Sequence, residues 1–158
     1  MAAKAEGSSR ARTSPIWRSI WKLNIPSVEK NFLWRACENI LPTRDNLCRQ
    51  KIISNPMCPL CEQEAKTTFH ILWQCISARD VWGSGSAVFQ KSCYSEPDFL
   101  QVAEDMISKC STMEFQQFVG VARKLWLRRN AFIHDRSFLH LNTLLQQVQK
   151  GTEDFQHA

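Results

Sequence analysis

Long apolar runs are absent. Nowhere in the 158 residues is there a stretch approaching the ~20 consecutive apolar positions that a bilayer-crossing helix needs. A membrane-spanning reading therefore fails, and no apolar segment follows Met1 to serve as a secretion signal. Gly (five) and Pro (six) are scarce, which excludes collagen-like and low-complexity chains. Apolar–polar alternation of useful length is missing as well, so strands are not expected, and no internal repeat is found. The signatures of several catalysts are also lacking. The single Tyr, Tyr94, is followed by Ser95-Glu96 and not by the paired Asp of a polymerase. Gly83-Ser84-Gly85 has neither the Lys-Ser/Thr of a phosphate loop nor the framing of a nucleophile elbow. His134 beside Asp135, and the isolated His140 and His157, read as surface residues. The expectation is a protein that is not itself an enzyme.

What the chain does have is an apolar core and a surplus of cysteine. With 44% apolar residues, a chain of this size buries roughly 70% of its unfolded surface, enough for one folded unit without disulfides. Seven Cys and six Trp stand out. Seven is odd and nothing points to secretion, so clustered Cys read as metal ligands before disulfides, in an intracellular reducing compartment, nucleus or cytoplasm. The net charge of +5 is uneven. Residues 1–55 hold ten Lys/Arg against four Asp/Glu, residues 56–119 hold four against eight, and residues 120–158 hold six against three. Two basic flanks around an acidic middle suit a polyanion, although solvated helix faces are the blander reading.

Residues 1–13 are small, polar and aperiodic, and read as a disordered leader with a weak likeness to a transit peptide. Ser14-Pro15 starts a first helix through Trp21 and Leu23, stopped before Pro26. Ser27 caps a second helix carrying Phe32, Leu33, Ala36, Cys37 and Ile40 on one face. Thr43 caps a third, reaching about Ile52, and Ser54-Asn55-Pro56 is a turn. Residues 76–90 read as one helix, and Pro97 opens another. Ser111-Thr-Met-Glu114 is a capping box for the longest helix, with an apolar stripe over residues 115–126. A last helix runs from about Leu139 to Lys150. The chain is expected to be all-α: an irregular helical domain over residues 14–90, then a helical extension over residues 91–158.

Between these helices lies Cys58-Pro-Leu-Cys61, with His70 and Cys75 downstream. Two Cys separated by two residues turn both sulfurs towards one ion, and zinc takes four tetrahedral thiolate and imidazole ligands. His70 and Cys75 are five positions apart, so they do not share one face of an α-helix. They can converge if a helix starting near Thr67 or Thr68 loosens in its last turn around Cys75. With all four positions filled by protein, one structural Zn2+ is expected, not a catalytic one. Cys37, Cys48, Cys93 and Cys110 read as ordinary core thiols.

These residues also carry a likeness. The run Ile20-Trp-Lys-Leu-Asn-Ile-Pro26, then Phe32-Leu-Trp-Arg-Ala36, Leu41-Pro-Thr-Arg-Asp-Asn-Leu47, Cys58-Pro-Leu-Cys61, the His70…Cys75 pair and Ala78-Arg-Asp-Val-Trp82 resembles the plant reverse-transcriptase zinc-binding domain. That family lies C-terminal to the polymerase in plant LINE-type retrotransposon polyproteins. Lys124-Leu-Trp-Leu-Arg-Arg-Asn130 is similar to the segment preceding an RNase H domain in such polyproteins, although no RNase H carboxylate set follows it. The resemblance implies that Cys58, Cys61, His70 and Cys75 hold zinc and that Trp34, Leu41 and Trp82 are core positions. It implies a non-enzymatic module accessory to nucleic-acid binding. RNA or DNA would be one partner, and a reverse transcriptase or RNase H domain in trans another. Arg35, Arg44, Arg49, Lys51, Arg128 and Arg129 are the candidate phosphate contacts, because they flank the cysteine cluster or lie near Trp. The alternatives are a zinc-stapled helical interaction module, presenting the 115–126 stripe to a partner, and a relic fragment without present function.

Overall fold

The computed structural model describes residues 14–63, 65–85, 87–91 and 98–157. The expected leader, Cys93, Tyr94 and Pro97 lie outside these. Among the described residues the fold is helical and has no strand, only an isolated antiparallel bridge between Met57 and Ala65. The helices are α1 (Ile16–Trp21), α2 (Ser27–Cys37), α3 (Arg44–Arg49), a π-helical turn (His70–Gln74), α4 (Ile76–Gly83), α5 (Ala87–Lys91), α6 (Phe99–Lys109), α7 (Thr112–Asp135) and α8 (Leu141–Gln156). No helix is long and apolar enough to cross a membrane among the described residues.

Helix α7 is the organising element. It packs against α2, α6, α8 and the π-helical turn, so every later part of the site leans on it. Its start is the expected capping box, with Glu114 N–H donating to Ser111 Oγ (3.2 Å) and Ser111 N–H donating to Glu114 Oε1 (3.1 Å). Phe118, fully buried on this helix, is the hub of the aromatic core. Its ring stacks with Trp82 (5.3 Å between centroids), Phe115 (5.6 Å) and Phe99 (6.0 Å). Trp82 in turn donates its indole N–H to the carbonyl of Leu72 (2.8 Å), tying α4 to the π-helical turn.

Several sequence expectations change here. The 115–126 stripe is not a partner surface: Phe115, Phe118, Val119, Val121, Ala122 and Leu125 are buried within the chain. Residues 76–90 form two helices instead of one, because the chain turns at Ser84 and Gly85. Helix α3 ends at Arg49, not Ile52, because Lys51 takes a left-handed φ of 61° and Ile52 N–H reaches back to the Leu47 carbonyl (2.9 Å). Helix α8 continues past Lys150 to Gln156. Leu144 and Val148 anchor it in the core, and Gln156 donates to Gln116 on α7 (2.8 Å). Pro15 occupies the cap position of α1, not its first turn, while Ser14 accepts from Ile16 and donates to Glu104 on α6 (3.0 Å). Leu41 and Trp82 are core residues, but Trp34 is half-buried beside Trp17. Cys37 is a core thiol, whereas Cys48 and Cys110 are half-buried.

The approach of α8 to α7 depends on one glycine. A Cβ on Gly120 would lie 2.9 Å from Cγ1 of Val148, closer than carbon atoms tolerate, and a branched Val cannot swing away freely. Gly120→Val is therefore expected to destabilise the protein by about 1–3 kcal/mol. A urea melt measures the loss, and amide hydrogen exchange should place it mainly in α8.

Candidate metal centre

The centre is built from two short pieces of chain. In the first, Glu62 N–H bonds back to the Cys58 carbonyl (2.8 Å), and Glu62 closes the turn with a left-handed φ of 55°. This turn brings the Cys58 and Cys61 thiols round to one side. In the second, Thr67 Oγ1 accepts from His70 N–H (3.0 Å) and starts the helical turn. Cys75 N–H then bonds to the His70 carbonyl (2.7 Å), a contact between residues five apart. That is the π-helical pattern, and it answers the spacing problem: an α-turn would carry His70 and Cys75 to different faces, whereas the wider turn returns them to one. Cys75 itself is extended (φ −57°, ψ 141°), so the chain leaves the π-helical turn there and re-enters helix as α4.

All four donor atoms lie within 4.8 Å of one another. Cys58 Sγ is 3.9 Å from Cys75 Sγ, and Cys61 Sγ is 3.2 Å from His70 Nε2. A tetrahedron with metal–sulfur legs of ~2.3 Å has edges of about 3.8 Å, so these separations fit one ion among four ligands. Cys58, His70 and Cys75 are buried and Cys61 is half-buried. On the Cys61 and His70 side the cluster borders a groove of about 490 Å³ lined by Leu60, Gln63, Gln74, Ile76 and Arg79. Gln74 Oε1 lies 3.4 Å from His70 Nδ1, the outer hydrogen bond that orients an imidazole and leaves Nε2 for a metal.

The surroundings favour thiolate at Cys75. Cys75, hydrogen-bonded by Cys58 and also by His70 and Ser77, is held far below an ordinary thiol, while the same bond to Cys75, with burial, raises Cys58. Burial opposes a charged His70, but hydrogen bonds and charges from Cys75 and Cys61 outweigh it and its pKa is raised. Ser77 Oγ donates to Cys75 Sγ (3.3 Å), and the Arg129 guanidinium donates to Cys58 Sγ. Lys66, buried beside them and 5.8 Å from the Trp126 ring centre, is pulled down to about 8 by burial and then by Arg129.

Arg128 and Arg129 are thus not where a phosphate contact would be. They are 4% and 1% exposed, and Arg128 donates to the carbonyls of Ser77 (2.8 Å) and Leu139 (3.3 Å) while stacking on Phe138. Packing of α7 against the π-helical turn and α4 carries both inward. Arg35, Arg49 and Lys51 are exposed and Arg44 is half-buried. Arg35 and Arg49 line one groove of about 350 Å³ with Asn39, Asn46 and Gln50. Arg44 donates to the Asn55 carbonyl (3.2 Å), and Arg49 pairs with Asp45 (3.1 Å). Ser77, Gln74, Lys66 and the inward role of Arg129 were not found from the sequence. The last of these had only the adjacent Arg-Arg pair as a signal, which reads equally as solvated charge.

Comparison with known proteins agrees with this geometry. Residues 5–82, just under half the chain, match the family model described as zinc-binding in reverse transcriptase. Residues 5–82 are thus similar to the zinc-binding domain of that family. An Arabidopsis thaliana protein described as "Putative ribonuclease H protein" is 22% identical over 73 residues, 46% of this chain. The chain spans only 12% of that relative's length. No solved structure matches. The match ends at Trp82, so α7 with Arg128 and Arg129 lies outside the zinc-binding family region.

Metal binding at this cluster must displace protons, because thiols and a raised His70 hold them in the metal-free protein. Acidification therefore weakens metal affinity. Calorimetric titration of metal in buffers of different ionisation enthalpy is expected to show net proton release that grows as the pH falls towards 6.5.

Proposed function

We propose that this reverse-transcriptase-type domain is a non-enzymatic structural zinc module whose role is accessory to nucleic-acid binding. The observation that carries the reading is the closed Cys58, Cys61, His70 and Cys75 set, with all its donor atoms within 4.8 Å. Three thiolates and one imidazole are a donor set suited to zinc, and four protein ligands leave no open position for a reacting water. Zinc would join the Cys58–Cys61 turn to the π-helical turn and supply folding free energy directly. Three thiolates around a divalent ion sum to −1, so the metal itself would not attract a polyanion. Contact would come from Arg35, Arg44, Arg49 and Lys51, which lie in residues 35–51 and keep their side chains at least partly at the surface. A reverse transcriptase or RNase H domain in trans is the protein partner that fits this reading.

Two measurements test it. Purified protein should contain one zinc per chain and lose a cooperative melt on chelation, and Cys61→Ser or His70→Ala should abolish stoichiometric zinc. Metal-free protein that melts as the metal-loaded protein does would defeat the structural role. Gel-shift titrations at low salt should show binding of single-stranded RNA or DNA. Replacing both Arg35 and Arg49 with Ala should flatten the salt dependence by about 0.7–0.9 log units per contact removed. No retardation of either nucleic acid at low salt would remove that part of the proposal.

A further inference from the structure

Two guanidinium groups lie side by side in the interior towards the C-terminal end of α7, and the carboxylate whose charge reaches Arg128 is that of Asp80. Arg129 is 1% exposed; its Nη2 donates to Cys58 Sγ and its Nη1 to Ser77 Oγ (3.4 Å). Arg128 spends its donors on the Ser77 and Leu139 carbonyls. The Nε atoms of both are buried and have no hydrogen-bond partner. Lys66 adds a third cation to the same interior, 2% exposed. Burying a cation without a counter-charge is costly, several kcal/mol per ion even after relaxation. Asp80 offsets Arg128 in part, whereas the acidic groups that Arg129 reaches are the thiols of the cysteine cluster, Cys58 directly and Cys75 through Ser77.

We propose that Arg129 is the built-in counter-charge of the metal centre, and that metal occupancy holds the C-terminal helical pair α7–α8 on the N-terminal zinc-binding region. The inference rests on the metal reading above. A Cys3His centre loaded with a divalent ion carries −1 spread over three sulfurs, and one guanidinium balances it. The N–H···S bond places that charge on Cys58. Ser77 serves both sides: its hydroxyl donates to Cys75 and its carbonyl accepts from Arg128. Arg129 is therefore a positioning residue for the metal site, supplied from 47 positions beyond the end of the family match at residue 82.

The test uses the full chain with Arg129→Met, which keeps the stem and removes charge and donors, and Arg129→Lys, which keeps the charge without the fork. Zinc affinity is read by chelator competition. Arg129→Met should still take one zinc per chain but bind it about 10- to 100-fold more weakly, with Arg129→Lys between it and wild type. In cobalt-substituted protein the thiolate-to-metal charge-transfer band should shift in Arg129→Met, a change that loss of packing alone does not produce. Removal of zinc from wild type should speed amide exchange across residues 112–156. Zinc affinity and band position unchanged in both variants would overturn the proposal while leaving the metal site intact. Equal exchange of residues 112–156 with and without zinc would overturn the coupling. If Arg129→Met does not fold, Arg129→Lys alone decides: wild-type affinity and an unshifted band refute the role. A wild type that binds no zinc would instead defeat the metal reading itself, and this proposal with it.

Discussion

Buried positive charge is the constraint around which this molecule is arranged. Arg128 and Arg129 enter the interior because α7 is a 24-residue helix whose N-terminal half is fixed by the Phe118 aromatic core. Once that half is seated, helical geometry gives the last two turns no choice of direction, and they run over the π-helical turn. Ser77 and Cys58 are what they meet there. A neutral interior at that point would be unstable by several kcal/mol. On the proposal above, an anionic cluster of thiolates would make the same placement favourable, so that the chemistry of the cysteines and the packing of a distant helix would constrain one another.

The second constraint is spacing. Five positions from His70 to Cys75 defeat an α-helix, and the chain answers with a five-residue hydrogen bond instead of a loop. That choice keeps Ile71, Leu72 and Trp73 in the core while it returns Cys75 to the cluster. Leu72 also offers its carbonyl to the Trp82 indole, so the distortion that gathers the ligands leaves its backbone groups satisfied from α4. A π-helical turn of this kind is expected at functional sites, and here it lies between two elements that packing already holds.

The ligand set was legible in the sequence because metal ligation is local: Cys58, Cys61, His70 and Cys75 fall within 18 residues, and their spacing carries the chemistry. The helices were legible where periodicity and caps agreed, as at Thr43 and Ser111. Where the signal depends on a partner elsewhere in the chain, the sequence was silent. The length of α8 past Lys150 needs the α7 surface that receives Leu144, Val148 and Gln156. The apolar stripe of residues 115–126 is real, but whether it faces a partner or the chain's own α2 and α6 is a tertiary fact. The same limit applies to Arg128 and Arg129. An Arg-Arg pair in sequence reads as solvated charge, since burial of two adjacent cations is rare unless something anionic waits for them.

That last correction alters the electrostatic map. The C-terminal segment, residues 120–158, has six basic residues against three acidic ones. Two of the six are Arg128 and Arg129, turned inward, which leaves four outward cations against three acids. Its apparent basic character is therefore mostly internal, spent on the cysteine cluster and helix carbonyls. In residues 14–55 the cations Arg18, Lys22, Lys30, Arg35, Arg44, Arg49 and Lys51 all stay at least partly at the surface, against Glu29, Glu38 and Asp45. Of those acids Glu38 is buried, and Asp45 is engaged by Arg49. The outward excess of cations is therefore concentrated in residues 14–55. Those cations lie on or next to α1 to α3, within the region that the family model matches.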